Sequence, residues 1–324
     1  MTGDHKHMAY VLLIVGFVLL IKGADFFVDG SSNIARLLQV PPILIGLTIV
    51  SFGTSSPEAT VSIIAAFGGN ADVAVGNVVG SNIFNISVVV GLAAFVFPLK
   101  VQSETIKKEI PFTLLASIVL FVLMSDLALH GFGNNLLTRG DGIILLLFLA
   151  IFMYYVIEVG LKSRKNAAPN REFMDISWRK NIVITLVGLV AIIFGGDLVV
   201  DNGTKIAYSL GMSETLVGLT IIAIGTSLPE LVTSIAAAMK KESEIALGNI
   251  VGSNIFNILF VLGATSTITP IAVDSKIFID VIIMIVLTLV LLLFARTGFR
   301  IGKREGLMLA ASYVVYLVYI ILRN

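Results

Sequence analysis

Gly53-Thr54-Ser55-Ser56-Pro57-Glu58 recurs as Gly225-Thr226-Ser227-Leu228-Pro229-Glu230, and Gly80-Ser81-Asn82-Ile83-Phe84-Asn85-Ile86 recurs as Gly252-Ser253-Asn254-Ile255-Phe256-Asn257-Ile258. Both recurrences share one offset, 172 residues, at which positions 23–86 align with 195–258 without a gap and with 32 identities in 64 positions. A shared apolar composition produces chance matches of Leu, Ile and Val. It does not produce runs of polar identity, so the chain carries an internal duplication.

The residues around these runs identify the solvent. Of 324 residues, 57% are hydrophobic and 13% charged, with a mean hydropathy of +1.00. Soluble domains carry roughly 25% charged residues, so this chain is suited to lipid. Stretches long enough to span a bilayer, about 20 apolar residues each, occur at 8–29, 38–67, 73–97, 111–129, 140–161, 181–200, 212–239, 244–269, 277–295 and 306–322. The expected fold is therefore an all-α integral membrane protein of ten transmembrane helices. Residues 1–161 form a first five-helix repeat, 162–180 a cytoplasmic linker and 181–324 a second repeat within one transporter fold. Five is odd, so the second repeat enters the membrane from the opposite side and the two are inverted. Transporter folds of that kind bind substrate near the midplane, between the repeats.

Charge sets the orientation. Alternate loops, including the one with Lys162, Arg164, Lys165, Arg171, Arg179 and Lys180, hold 16 Lys and Arg, against 5 on the other side. Positive residues stay in the cytoplasm, which places both termini outside a cell membrane and the 162–180 loop inside. The opening MTGDHKHM leads into an apolar run with no small-residue cleavage site, so the run reads as a retained helix. A net charge of +1 gives no basic excess for a nucleic-acid partner. The absence of cysteine excludes disulfides and thiolate sites. No P-loop, dinucleotide fingerprint or nucleophile–base pair is present, so the chain is not expected to be an enzyme and its energy should come from ion gradients.

The duplicated motifs carry the chemistry. On a helix Ser51, Ser55 and Glu58 stand at i, i+4 and i+7, with Thr54 four residues before Glu58. Pro57 cannot donate to the carbonyl of Gly53 and crowds it, which turns carbonyls off the helix. Thr226, Ser227, Pro229 and Glu230 repeat the arrangement. Asn77, Ser81 and Asn85, and likewise Asn249, Ser253 and Asn257, follow at intervals of four. Two carboxylates with hydroxyls, amide oxygens and freed carbonyls make an all-oxygen site, as hard cations require; calcium takes about 6–8 oxygens. No His or Cys lies in these stripes, which disfavours zinc, copper and iron. Ser, Thr and Asn also cement helix contacts in membranes. Two carboxylates at one repeat position within apolar spans point instead to a functional site. Asp25, Asp29, Asp197 and Asp201 recur at the same offset near span ends, where a structural role is expected. His5, His7 and His130 lie outside the stripes, and Trp178 is placed as an interfacial anchor.

The paired motifs, with Gly76-Asn77 and Gly248-Asn249, resemble the two alpha repeats of the cation/calcium antiporter superfamily, and most of all the prokaryotic sodium/calcium exchangers. The resemblance covers essentially the whole chain. It implies alternating-access exchange of sodium for calcium, with three sodium ions per calcium and net charge movement. Calcium and sodium are then bound as substrates, with no cofactor and no obligate protein partner beyond the lipid bilayer. It implies Glu58 and Glu230 as central ligands, joined by Thr54 and Thr226, largely through backbone oxygen, at the calcium position. Sodium positions involve Ser55, Ser227, Ser81, Ser253 and the backbone around Ser51 and Ala223, while Asn85 and Asn257 line the middle. Asn at both of the last positions resembles the potassium-independent branch, and the short linker leaves no room for calcium-sensing domains. Exchange of calcium, or another divalent ion, for protons on the same scaffold is the alternative. A passive channel or a scaffold whose polar stripes only pack helices is a third.

Overall fold

The computed structural model describes residues 3–68, 72–131, 134–166, 177–210 and 223–323. The expectations that fall on 167–176 of the linker and on 211–222, where the seventh span begins, lie outside the described residues. The protein is mostly helical. In a bilayer core every backbone N–H and C=O must find its partner within the chain, which favours this architecture.

Before the linker lie α1 (Gly3–Leu38), α2 (Pro42–Thr54), α3 (Ser56–Phe67), α4 (Val73–Val96), α5 (103–123) and α6 (Arg139–Asn166). After it lie α7 (Trp178–Ser209), a single turn Ala223–Gly225, α8 (Leu228–Met239), α9 (Ser243–Ile268), α10 (Ile277–Arg296) and α11 (Lys303–Arg323). Among the described residues, α1, α4, α6, α7, α9, α10 and α11 are each long and apolar enough to cross a membrane.

Local chemistry sets the helix ends. α1 stops where Gln39 takes φ 57°, with Val40 N–H bonded to Ala35 O at 3.1 Å and Gln39 N–H to Arg36 O at 3.1 Å. This left-handed cap satisfies the last carbonyls of a helix. Lys241 (φ 63°) repeats it after α8, with Glu242 N–H on Ala237 O at 2.9 Å. Pro42 opens α2 at a first-turn position, where no N–H is missed. The fourth span lies earlier in the sequence than the expected 111–129, beginning at 103. α5 ends at Leu123, Ser125 leaves the helix at φ −100°, ψ 36°, and a separate turn of helix, Asp126–His130, follows. Four two-residue strands close the ends of the bundle. Leu99–Lys100 (β1) pairs antiparallel with Arg300–Ile301 (β4), and Leu136–Leu137 (β2) with Ile271–Ala272 (β3).

α9 and α4 lie at the centre: 94% of the α9 span is buried, against 17% of α11. α1 and α7 form an outlying antiparallel pair on glycine contacts. A Cβ built on Gly16 would lie 2.9 Å from Gly195 O, one on Gly23 2.9 Å from Gly188 O, and one on Gly30 2.9 Å from Thr185 N. Small residues let spanning helices approach to backbone contact. Their outer faces, with Ile14, Phe17 and Val18 on α1 and Val187, Val190 and Phe194 on α7, are exposed and apolar, as a lipid-facing surface requires.

Gly188→Leu tests that contact. A Cβ there would sit 2.5 Å from Phe27 N and 2.8 Å from Gly23 O, backbone atoms that cannot yield. The variant should lose about 1–3 kcal/mol and unfold at lower temperature in detergent. Gly160→Ala, whose nearest neighbour is a side-chain carbon at 3.6 Å, should unfold no earlier than wild type. Equal melting of Gly188→Leu and wild type would refute the packing argument.

Candidate functional site

The two duplicated motifs break their helices at equivalent points. Ser55 (φ −85°, ψ 7°) separates α2 from α3, and Ser227 (φ −92°, ψ 7°) caps α8. Pro57 and Pro229 sit in the first turn after each break. Beyond the break, Glu58 and Glu230 project from the first turn of α3 and α8, and neither has any solvent-exposed surface. The partner helices depart from α-geometry at matching places: π-helical turns run over Asn85–Val89 in α4 and Asn257–Leu262 in α9. Such turns redirect side chains and carbonyls and concentrate at functional sites.

The halves hold each other reciprocally. Ser55 Oγ donates to Glu230 Oε1 at 2.7 Å, and Ser227 Oγ donates to Glu58 Oε1 at 3.2 Å. Asn77 Nδ2 donates to Glu58 O at 3.4 Å and Ser62 Oγ at 3.1 Å; Asn249 Nδ2 donates to Glu230 O at 3.4 Å and Ser234 Oγ at 2.9 Å. Across the centre, Asn85 Nδ2 donates to Asn254 Oδ1 at 3.3 Å and Asn257 Nδ2 to Asn82 Oδ1 at 3.1 Å. Each bond is the image of another under exchange of the halves.

Oxygen remains over. Glu58 Oε2, Glu230 Oε2, Asn85 Oδ1, Asn257 Oδ1, Thr226 Oγ1 and Ser81 Oγ are buried and make no hydrogen bond. Among the described residues no cation pairs with either glutamate, and no cluster of three His, Cys, Asp or Glu exists. Buried polar atoms are normally satisfied, and an unpaired buried carboxylate is among the most costly groups a protein can hold. The donor set is oxygen alone, two carboxylates with neutral amides and hydroxyls, which suits a hard cation.

The symmetry is incomplete. Thr54 Oγ1 donates to Asn249 Oδ1 at 2.9 Å and Ser253 Oγ to Glu230 Oε1 at 3.4 Å, whereas Thr226 Oγ1 and Ser81 Oγ are unbonded. On the Glu230 side α9 is drawn against α2, where a Cβ on Gly252 would meet Ser51 Oγ at 2.6 Å. Ser51 is itself buried and donates to Thr48 O at 3.3 Å. Ala223 begins the turn before Thr226. Thus Ser51, Thr54, Ser55, Glu58, Ser81 and Asn85 meet Ser227, Glu230, Ser253 and Asn257 in one polar centre, with Thr226 beside Ser227.

Sequence reasoning passed over four contributors. Asn82 and Asn254 receive the central amides, and Asn82 Nδ2 also donates to Asn254 O at 3.2 Å. Ser62 and Ser234 brace Asn77 and Asn249. The signal was present, since all four are identical across the duplication. The aspartates near the span ends serve structure on one side: Lys240 Nζ lies 3.5 Å from Asp25 and 2.8 Å from Asp29.

A family model for sodium/calcium exchanger proteins matches residues 8–158 and 180–322. The inner membrane protein YrbG of Escherichia coli K12 is 37% identical, over 96% of this chain and 96% of its own. The sodium/calcium exchanger MaX1 of Methanosarcina acetivorans is 32% identical, over 95% of this chain and 97% of its own. A solved structure of the sodium-calcium exchanger NCX_Mj, soaked with sodium and strontium, superposes with a TM-score of 0.83 at 32% identity, covering 96% of this chain and 97% of that one.

Asn254→Leu tests the centre. It leaves the buried amide of Asn85 without its acceptor, and an orphaned buried donor costs about 1–3 kcal/mol. Thermal unfolding in detergent should fall accordingly. Asn254→Ser, which keeps a neutral oxygen acceptor on the same helix face, should fall less. If both unfolded with the wild type, the amide network would not be structural.

Proposed function

The chain belongs to the sodium/calcium exchanger family, and from that premise we propose that it carries calcium against sodium across a cell membrane, with both ions bound at the Glu58–Glu230 centre. It is a membrane antiporter and not an enzyme. The observation that carries the assignment of the site is the unpaired second oxygen of each fully buried glutamate.

Charge explains why such a centre exchanges rather than leaks. Two carboxylates in a low-dielectric interior strongly favour a bound charge of +2. One calcium neutralises them, whereas three sodium ions leave one net positive charge to be moved by the membrane potential, so exchange is electrogenic. An unloaded centre is too costly to cross the membrane. The calcium position uses Glu58, Glu230 and the backbone oxygens of Thr54 and Thr226; the engagement of the Thr54 hydroxyl with Asn249 supports its backbone as the donor. Sodium takes Ser55, Ser227, Ser81, Ser253 and the backbone at Ser51 and Ala223. Asn85 and Asn257 stand between.

The ten spans then form two inverted repeats, 1–161 and 181–324, with termini outside. Access alternates as α1 and α7 slide together across the rest. Their antiparallel glycine seam and apolar outer faces suit a pair that moves as one body. The unequal bonding of the two halves is what a single end-state requires, since the bonds Thr54–Asn249 and Ser253–Glu230 would pass to Thr226–Asn77 and Ser81–Glu58 in the other.

Proteoliposomes loaded with sodium and diluted into sodium-free buffer test the proposal. Wild type should take up calcium only when sodium is inside, and faster when the interior is positive, because each turnover carries one net positive charge outward. Glu58→Gln and Glu230→Gln should each abolish uptake, about 100-fold or more, since each removes a charge made for the bound ion. Uptake that ignores sodium and collapses with an uncoupler would assign proton exchange. Flux without any counter-ion would assign a channel.

A further inference from the structure

Glu109, on α5, is 2% exposed, and among the described residues no cation pairs with it. Tyr155 of α6 donates its hydroxyl to Glu109 Oε1, while Glu109 Oε2 is buried and makes no hydrogen bond. It is a further buried carboxylate with an unmatched oxygen, on helices that carry no residue of the Glu58–Glu230 centre. Lys108 beside it is engaged elsewhere: its Nζ lies 2.6 Å from Glu104 Oε2 and 5.5 Å from the centre of the Tyr155 ring.

The other half of the chain shows what this oxygen lacks. α5 and α10 bury corresponding positions at an offset of 171, Glu109 with Asp280, Ile110 with Val281, Ser117 with Thr288 and Leu120 with Leu291. α6 and α11 correspond at an offset of 164. A Cβ on Gly142 would lie 2.7 Å from Gly263 O and one on Gly306 2.6 Å from Gly91 O, and Gly91 and Gly263 are themselves 172 apart. Asp280, the counterpart of Glu109, is 2% exposed and holds a guanidinium: Arg323 Nη1 donates to its Oδ1 at 2.9 Å and its Oδ2 at 3.1 Å. The counterpart of Arg323 on α6 is Val159. One half carries its own cation, and the other has a valine in that place.

The surroundings of Glu109 repeat the devices of the centre. A π-helical turn runs over Thr105–Glu109, and such turns redirect carbonyls. Pro111 has no N–H for the carbonyl of Lys107, four residues back. The Tyr155 oxygen stands against Oε1. These are oxygen donors around a single negative charge, which one monovalent cation neutralises. A divalent ion would leave a net charge in a space of low dielectric. We propose that Glu109 is the carboxylate of a resident alkali-cation site, at which a free sodium or potassium ion does for α5 and α6 what Arg323 does for α10 and α11.

Radioactive rubidium and sodium test it by scintillation proximity on purified protein carrying Glu58→Gln/Glu230→Gln, which silences the centre. One saturable site should remain, and Glu109→Gln should abolish it. Val159→Arg, which supplies the tethered cation of the other half, should abolish it too and still fold. Rubidium binding assigns potassium, and sodium binding alone assigns sodium. In choline the protein should unfold about 2 °C or more below its temperature in the bound cation, and Glu109→Gln and Val159→Arg should each lose that difference. Wild type saturated with calcium serves for the same comparison of melting. Binding that is absent, or that survives Glu109→Gln or Val159→Arg, would overturn the proposal. So would a stability indifferent to the salt and lost in Lys108→Gln, since Lys108 would then be the partner of Glu109. The binding is read with the centre disabled, so a failure of exchange leaves this site standing, and loss of this site leaves exchange standing.

Discussion

Two buried glutamates with no cationic partner among the described residues are the constraint from which the rest of this structure follows. Glu58 and Glu230 each accept a hydroxyl bond from the other half at one oxygen and leave the second oxygen unmatched. A neutral hydrogen bond returns about 1 kcal/mol net, whereas the effective penalty for burying one ion is several. Serine donors cannot close that gap; a bound cation can. The apolar spans, the helix breaks and the π-turns are then the means of holding oxygen atoms around a charge that lipid would otherwise exclude.

The means are economical because they are used twice. A helix interrupted at Ser55 or Ser227 delivers hydroxyl and carboxylate from one short stretch, and Pro57 and Pro229 guarantee the interruption at no lost N–H. Asn77 and Asn249 each tie the carbonyl of a site glutamate to a serine one turn further on. This fixes the direction of α3 and α8 at the point where the glutamates leave them. The four central asparagines join α4 to α9 through side-chain amides, which tolerate a polar centre that leucine packing would not.

Much of this was legible in the sequence, for identifiable reasons. The periods of Ser51–Glu58 and Asn77–Asn85 are local, and the 172-residue offset projects them onto the second half. What escaped depends on which residues meet across the bundle. Asn82 points to Asn254 and not to Glu58, and no spacing along α4 distinguishes it from Asn85. The Asp280–Arg323 pair joins residues 43 apart on different helices. The end of α5 at Leu123 turned on Ser125 leaving the helix inside an otherwise apolar stretch. The two-residue strands were too short to leave a pattern.

Duplication also makes the departures from it informative. Asp25 and Asp29 on α1 are held by Lys240, which also donates to Asp25 O at 2.7 Å, while Glu242 accepts from Ser32 at 2.8 Å and Arg36 at 3.3 Å. The repeat places Gly68 where Lys240 stands, opposite Asp197 and Asp201 of α7, and no ion pair forms there among the described residues. One end of the α1–α7 pair is thus latched to the bundle by ion pairs, and the other has no such pair among the described residues. The latch groups are partly exposed, Lys240 by 26% and Asp29 by 58%, and ion pairs of that kind contribute about 0–1 kcal/mol each. They are too weak to fix α1 against a driving force of the size set by the buried glutamates, and large enough to favour one of two otherwise similar arrangements. In the exchange proposed above, the buried carboxylates would therefore decide whether the helices move loaded or empty, and the surface charges would only tilt where they rest.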